Sequence, residues 1–137
     1  MIEYDEVQMP RNINFLIVED EPDIADILKE ELKEMKFTGK IYKANTFINA
    51  KACLQQKVVN YIISDWNLEG PTGLDLLKYM RTNENYKNLP FLMVTGNHNI
   101  EEMLRATEEG SSDYLVKPWT PTELQRKVFS AWAVHNS

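Results

Sequence analysis

The chain has 137 residues, which is enough for one ordinary domain and too few for two. With 43% hydrophobic and 26% charged residues it has the composition of a globular protein rather than of a disordered tail. Its net charge of -6 argues against nucleic-acid binding and against attachment to an anionic membrane surface, and no apolar run is long enough for membrane insertion. A single cysteine and a start without the pattern of a signal peptide favour a cytoplasmic location.

Polar and acidic residues open the chain, and we expect 1–12 to be a short, frayed extension before a domain that spans 13–137. The apolar run 13–18 predicts a buried strand. Acidic residues and Pro22 follow it and suit the start of a helix, because they fit the positive end of the helix dipole. Apolar residues then recur at helical spacing, and Gly39 is expected to end this first helix.

The rest of the chain continues the alternation of short apolar runs with segments of helical spacing. The remaining predicted elements, in order, are a strand at 40–44, a helix from Thr46 to about Gln56, a strand at 58–64, a loop at 65–72, a helix from Gly73 to about Arg81, a strand at 90–94, a helix from about Ile100 to Glu109, a strand at 113–116 and a helix from Thr120 to about Val134.

Five strands alternating with five helices predict an α/β fold with a doubly wound parallel sheet, covered by helices on both faces. Ligands of such sheets bind beyond the carboxyl ends of the strands. The predicted strands end in polar residues that would therefore project toward one rim. These residues are Glu19, Asp20, Glu21, Asp65, Thr95 and Lys117.

Carboxylates gathered at one rim repel one another and raise each other's pKa, so a cation is needed to offset their charge. Mg²⁺ takes oxygen ligands, and a nearby lysine offsets further charge. Such a site suits a transferred phosphoryl group, with a carboxylate as the nucleophile. Taken singly, each residue is more often a helix start, a turn residue or an exposed lysine. The joint occurrence at four strand ends is what supports the prediction.

Five segments also carry a resemblance to a known family. They are Phe15-Leu16-Ile17-Val18-Glu19-Asp20-Glu21, Tyr61-Ile62-Ile63-Ser64-Asp65-Trp66-Asn67-Leu68, Gly73-Leu74-Asp75-Leu76-Leu77, Leu89-Pro90-Phe91-Leu92-Met93-Val94-Thr95-Gly96 and Gly110-Ser111-Ser112-Asp113-Tyr114-Leu115-Val116-Lys117-Pro118. In this order and spacing the chain resembles the receiver domain of two-component response regulators, particularly the single-domain chemotaxis type, over about residues 13–134. The resemblance implies a flavodoxin-like sheet with strand order 2-1-3-4-5.

The same resemblance implies a role for each polar residue at the rim. Asp65 would be the phosphoacceptor. The groups implied to hold Mg²⁺, or Mn²⁺ in its place, are Asp20, Asp65, the backbone carbonyl of Asn67 and, through a metal-bound water, Glu19. The implied contacts of the phosphoryl group are Lys117, Thr95 and Gly96, where a larger side chain would crowd it.

The resemblance further implies a switch, in which Thr95 moves inward on phosphorylation and Tyr114 follows from an exposed to a buried rotamer. Asn67 and Asn97 would flank the path of the attacking water, and two short amides there predict fairly fast self-dephosphorylation. The output face, formed by the fourth helix, fifth strand and fifth helix, would include His98, Met103, Tyr114 and Trp119.

Three positions depart from the common pattern of the family: Glu19 replaces the more usual aspartate, Glu69 stands where proline is usual, and Thr72 stands where an acidic residue often precedes the glycine. None of them removes a chemical group that phosphorylation needs. They affect the shape of the loop and the lifetime of the phosphorylated state.

A phosphohistidine on a sensor histidine kinase or phosphotransfer protein would be the donor. Because the chain ends at Ser137 without an effector domain, output is expected through binding of a downstream protein, by a monomer or weak dimer that is not an enzyme. One alternative is an aspartyl phosphatase of the haloacid dehalogenase type, but the acid two residues after its nucleophile is here Asn67. A binding module that has lost phosphorylation, or a receiver cut from a longer protein, are further alternatives.

Overall fold

A computed structural model describes residues 9–96 and 100–136. Five strands and five helices alternate along the chain. The strands are β1 (Phe15–Val18), β2 (Ile41–Ala44), β3 (Tyr61–Asp65), β4 (Phe91–Thr95) and β5 (Asp113–Val116). The helices are α1 (Pro22–Glu34), α2 (Phe47–Gln56), α3 (Gly73–Arg81), α4 (Ile100–Glu108) and α5 (Pro121–Asn136).

The strands form one parallel sheet in the order β2-β1-β3-β4-β5, which confirms the predicted fold class and strand order. The register aligns the strand ends: Val18 pairs with Ser64, Asp65 with Val94, and Thr95 with Val116. The polar residues that follow these strands therefore meet at one rim.

Alternate residues of the central strands feed two separate hydrophobic layers, as expected for a sheet buried on both faces. Phe15 and Ile17 pack with α1 and α5 on one face, whereas Leu16 and Val18 pack with α2, α3 and α4 on the other. No helix in the described part of the chain has the length and apolar character that a bilayer span requires.

The third strand begins at Tyr61 rather than at Val58, and the first at Phe15 rather than at residue 13. Asn14 explains both differences, because its backbone N–H donates to the Asn60 side chain at 2.8 Å and its own side chain donates to the Val58 carbonyl at 3.0 Å. Side chains thus take the hydrogen bonds that a regular ladder would use. Val58 is 70% exposed and contributes little to the core.

The prediction that Gly39 ends the first helix is wrong. Helix α1 stops at Glu34, and Lys36 takes the left-handed conformation that closes it, with φ of 72°. Gly39 instead lies where the backbone passes close to Ile13, just before β1, since a Cβ there would lie 2.1 Å from the carbonyl oxygen of Ile13. Glycine is required for this approach and not for the helix end.

The expected fraying of residues 1–12 is wrong for the residues that the structure describes. Met9 is only 3% exposed and belongs to the layer beneath α1 and α5. The guanidinium of Arg11 lies over the rings of Phe37 and Phe129, at 5.1 and 5.5 Å from their centroids. This segment is therefore part of the folded body.

Candidate functional site

The acceptor candidate Asp65 is the last residue of β3 and is 5% exposed. Its Oδ1 accepts a hydrogen bond from the backbone N–H of Asn67 at 3.2 Å, so the turn that follows the strand orients the carboxylate. Gly73 lets α3 start directly against this strand end, because a Cβ there would lie 2.1 Å from the Asp65 carbonyl oxygen. Thr72 caps that helix in a reciprocal pair with Asp75.

Two more carboxylates stand beside Asp65. Glu19 and Asp20 follow β1, and together with Asp65 they bring one oxygen each to within 4.8 Å of one another. Glu19 is 4% exposed, whereas Asp20 faces solvent. Three hard oxygen donors at a partly open rim match the chemistry of Mg²⁺, which binds one or two carboxylates and retains several waters. The donor set therefore fits the metal that the sequence implied.

Lys117 joins two of the carboxylates. Its ammonium donates to Asp65 Oδ2 at 2.7 Å and to Glu19 Oε1 at 2.9 Å. Burial of the ammonium by itself would lower the pKa of Lys117, but the two carboxylates outweigh that effect and raise the pKa. The lysine therefore remains charged and offsets part of the repulsion within the cluster.

The negative charge of the cluster that Lys117 does not offset is reduced further by protonation of Glu19. Burial, reinforced by a hydrogen bond with Asp65, raises the pKa of Glu19 from 4.5 to about 8, although Lys117 opposes the shift. A carboxyl with this pKa holds a proton at neutral pH. An arriving divalent cation would replace that proton, since both offset the same local negative charge.

Thr95 ends β4 and is fully buried, and its backbone carbonyl accepts the N–H of Lys117 at 2.8 Å. The next residue, Gly96, has open space where a Cβ would stand, with no described atom within 4 Å. Both residues thus lie at the rim with Asp65 and Lys117. Asn97 and His98 lie outside the described residues.

A known protein family matches nearly the whole sequence of this chain. The sequence model of the family described as "Response regulator receiver domain" matches residues 15–129. The chain belongs to the receiver domain family. The chemotaxis protein CheY-3 of Vibrio cholerae is 32% identical to it over 90% of this chain and 94% of that protein. The chemotaxis protein CheY of Pseudomonas aeruginosa is 34% identical over 85% of this chain and 93% of that protein.

Solved structures agree with this assignment. A response regulator from Chloroflexus aurantiacus superposes with a TM-score of 0.82 at 30% identity, covering 88% of this chain and 98% of its own. The chemotaxis response regulator CheY4 of Vibrio cholerae gives a TM-score of 0.79 at 27% identity, covering 87% and 98%. Sequence and structure thus agree that the rim formed by Glu19, Asp20, Asp65 and Lys117 is the rim of a receiver domain.

The residues that the sequence assigned to the output face of this receiver domain divide into two groups. Met103 and Tyr114 line one groove on the surface formed by α4, β5 and α5. Trp119 lies apart from them, because its indole N–H donates to Glu31 Oε1 on α1 at 3.1 Å. It lines a different groove, between α1 and the loop that follows β5.

The contacts of two residues of this receiver domain, Lys127 and Glu31, were missed in the sequence analysis. Lys127 on α5 places its ammonium 4.6 Å from the ring centroid of Tyr114 and 3.1 Å from Asp113 Oδ1. Glu31 on α1 accepts a hydrogen bond from the indole N–H of Trp119. Each of these contacts joins two different elements of the fold, and a single sequence contains no signal for such contacts.

Proposed function

We propose that this receiver domain is a phosphorylation switch, in which Asp65 accepts a phosphoryl group from a phosphohistidine of a sensor histidine kinase or phosphotransfer protein. The observation that carries the proposal is the position of the Asp65 carboxylate, between the Lys117 ammonium at 2.7 Å and the two further carboxylates of the rim. The lysine alone would satisfy a buried structural aspartate. Two further carboxylates add repulsion that a bound cation would offset.

The transfer needs an oxygen nucleophile and a leaving group. One carboxylate oxygen of Asp65 would attack phosphorus, and the bond from phosphorus to the donor's imidazole nitrogen would break with its electron pair on that nitrogen. The hydrogen bond from Asn67 to Oδ1 and the ion pair from Lys117 to Oδ2 fix the orientation of the carboxylate. Positioning of this kind is the main contribution that a protein makes to phosphoryl transfer.

The residues that would hold Mg²⁺, with Mn²⁺ as a substitute, are Glu19, Asp20, Asp65 and the backbone carbonyl of Asn67. When bound, the ion would neutralise charge on the phosphoryl oxygens. Glu19, which is buried, would act mainly through a metal-bound water, as the family resemblance implies. Asp20 is exposed, which suits a direct ligand.

Lys117, Thr95 and Gly96 would contact the phosphoryl oxygens. The ammonium of Lys117 already pairs with an oxygen of Asp65, so the phosphoryl group would gain that charge after transfer. The open space in front of Gly96 leaves room beside the acceptor.

Thr95 and Tyr114 would form the switch, because they lie on neighbouring strands between the rim and the output face. A phosphoryl group that bonds the Thr95 hydroxyl in one state better than in the other would shift the population toward it. Half-buried Tyr114 and Met103 line a groove there that a downstream protein would bind. His98 is proposed for the same face. Trp119 is better placed to support the phosphoacceptor rim.

The chain covers 94% and 93% of the two chemotaxis relatives, which supports a single-domain switch. We further propose that it acts in the cytoplasm as a monomer or weak dimer. Asn67 and Asn97 would leave a path for water to phosphorus, so the phosphorylated state would be short-lived. The protein would be a substrate of its kinase rather than an enzyme in its own right.

Mass spectrometry after incubation with acetyl phosphate and Mg²⁺ tests the proposal. Wild type should gain one phosphoryl group, Asp65→Asn none, and a chelator should prevent the gain. Asp26→Asn is a matched control, because Asp26 is an exposed aspartate that pairs with Lys43 and lies outside the rim. Equal labelling of wild type and Asp65→Asn would overturn the proposal.

A further inference from the structure

The loop that carries the chain from Lys117 into α5 is tied to helix α1 by one side-chain hydrogen bond. The indole N–H of Trp119 donates to Glu31 Oε1 at 3.1 Å. We propose that Glu31 and Trp119 are positioning residues for phosphorylation, and that their hydrogen bond sets where the Lys117 ammonium stands relative to Asp65. This inference rests on the function proposed above and deepens it.

Lys117 has a long distance to cover. It leaves the end of β5, whereas Asp65 ends β3, and β4 lies between them. Two strand spacings amount to about 10 Å. The same ammonium also reaches Glu19, which follows β1 on the far side of β3. A side chain that must extend this far has little freedom to compensate for movement of its own backbone.

The backbone around Lys117 is held at two points. Its N–H donates to the Thr95 carbonyl at 2.8 Å, which fixes the end of the strand. Beyond the loop, Thr120 and Glu123 form a reciprocal cap at the start of α5, with contacts of 3.1 and 3.3 Å. Trp119 lies between these two points, and its ring packs against the hydrophobic layer beneath α1 and α5.

Close packing does not by itself hold this loop against the first turns of α1. A groove of about 480 Å³ separates the two, and its walls include Ile24 and Ile27 on the helix and Pro118 on the loop. The same groove reaches Gly96 and Lys117, so it opens beside the acceptor. The hydrogen bond from Trp119 to Glu31 joins the loop to α1 beside this groove, in addition to the packing of the indole ring.

A substitution at Glu31 can remove the charge of its carboxylate and keep the hydrogen bond to Trp119. The second oxygen of Glu31, Oε2, is buried and accepts no hydrogen bond from the described residues. Burying an unsatisfied charged oxygen is unfavourable. Glutamine would keep an acceptor for the indole and remove that charge. A positioning role therefore predicts that Glu31→Gln preserves the function of the pair, whereas Glu31→Ala does not.

The experiment measures the rate of Asp65 phosphorylation by acetyl phosphate at saturating Mg²⁺. Glu31→Ala and Trp119→Phe should each slow labelling by about ten-fold, because a misplaced cation loses part of its effect on the transferred group. The double variant should be no slower than the slower single variant, since both remove one interaction. Glu31→Gln should restore the rate to within about two-fold of wild type.

Two further measurements distinguish positioning from a general structural role. Mg²⁺ affinity, followed by calorimetry, should not fall in any variant, because the carboxylates belong to β3 and to the segment after β1, and a displaced Lys117 would only cease to compete for them. Glu30→Ala, which alters an exposed glutamate paired with Lys33 on the same helix, should leave the labelling rate unchanged.

Labelling rates equal to wild type in Trp119→Phe and Glu31→Ala would overturn this inference, even if thermal stability fell. So would single effects that multiply in the double variant. If Glu31→Ala does not fold, Trp119→Phe decides, because it keeps a six-membered aromatic ring against the hydrophobic layer and loses the five-membered ring that carries the N–H. Absence of labelling in wild type would instead refute the proposed function itself.

Discussion

The ion pair between Lys117 and Asp65, 2.7 Å long, passes over the end of the strand that separates them. It holds a lysine from the last strand of the sheet over an aspartate near its centre. The same ammonium contacts Glu19 at 2.9 Å, so one cation serves two buried carboxylates. The rim is thereby kept compact in the absence of metal, and the cation stands where a phosphoryl group on Asp65 would need it.

Replacing Lys117 by methionine keeps an apolar stem of similar length and removes the charge. We expect phosphorylation by acetyl phosphate to slow by about 100-fold, because one fixed cation is lost from the site of charge transfer. Mg²⁺ should bind more tightly, since a competitor for Asp65 and Glu19 is gone. Lys33→Met, on the exposed side of α1, is the control. Wild-type labelling of Lys117→Met would contradict this role.

Mg²⁺ binding should depend on pH through Glu19. Its pKa is raised from 4.5 to about 8 by burial and by the hydrogen bond with Asp65. Below that value the folded protein carries a proton that the ion must displace. Calorimetry in buffers of different ionisation enthalpy should show up to about one proton released per Mg²⁺ at pH 7, and affinity should rise toward pH 8.5. Glu19→Gln should abolish both effects. Binding without proton release in wild type would contradict this account.

The raised pKa of Glu19 also determines how the free energy of unfolding of the metal-free protein changes with pH. The folded state holds the Glu19 proton between pH 4.5 and about 8, whereas the unfolded state has lost it. This contribution to the free energy of unfolding is complete below pH 4.5 and disappears as pH rises through 8. Added Mg²⁺ should reverse the loss.

Most of the fold could be predicted from the sequence, because its signals are local. Apolar runs of four or five residues mark the strands, and caps such as Thr46 and Thr72 mark helix starts. The carboxyl ends of the strands meet at one rim in any parallel sheet. The sequence alone therefore predicts that Glu19, Asp65 and Lys117 lie close together.

The errors came from contacts between distant residues. Gly39 looks like a helix stop, but the close approach of the Ile13 carbonyl is what makes glycine necessary there. Trp119 looks like part of an output face, but Glu31, far away in sequence, holds it at α1. Local patterns describe a segment and do not say which partner it will meet.

Arg11 should contribute to stability although it precedes β1. Its guanidinium lies over Phe37 and Phe129, and its carbonyl accepts the N–H of Thr38 at 2.6 Å. We expect Arg11→Ala to lower the free energy of unfolding in urea by about 1–2 kcal/mol. Arg126→Ala, at an exposed position on α5, should change it by less than about 0.5 kcal/mol. Equal effects of the two variants would show that the segment is not part of the core.

His135 should make stability fall in mild acid. It is half-buried, and its Nε2 lies 2.6 Å from the Ser112 hydroxyl, which already accepts the backbone N–H of Phe91 at 3.0 Å. The serine proton is therefore available to a neutral imidazole. Burial, with a smaller effect from the charge of Arg81, lowers the pKa of His135 below 6.5. The folded state thus disfavours the protonated ring.

The contribution of His135 to the free energy of unfolding should be complete above pH 6.5 and should be lost as pH falls through the lowered pKa. Glu19 changes stability in the opposite direction over part of this range, so the useful quantity is the difference between wild type and His135→Gln. That difference, from urea unfolding at pH 7.5, 6.5 and 5.5, should shrink toward acid. An NMR titration should give the imidazole of His135 a pKa lower than that of a free histidine peptide. If the stability difference between wild type and His135→Gln did not change with pH, and the pKa of His135 were that of a free histidine peptide, the folded state would not favour the neutral ring.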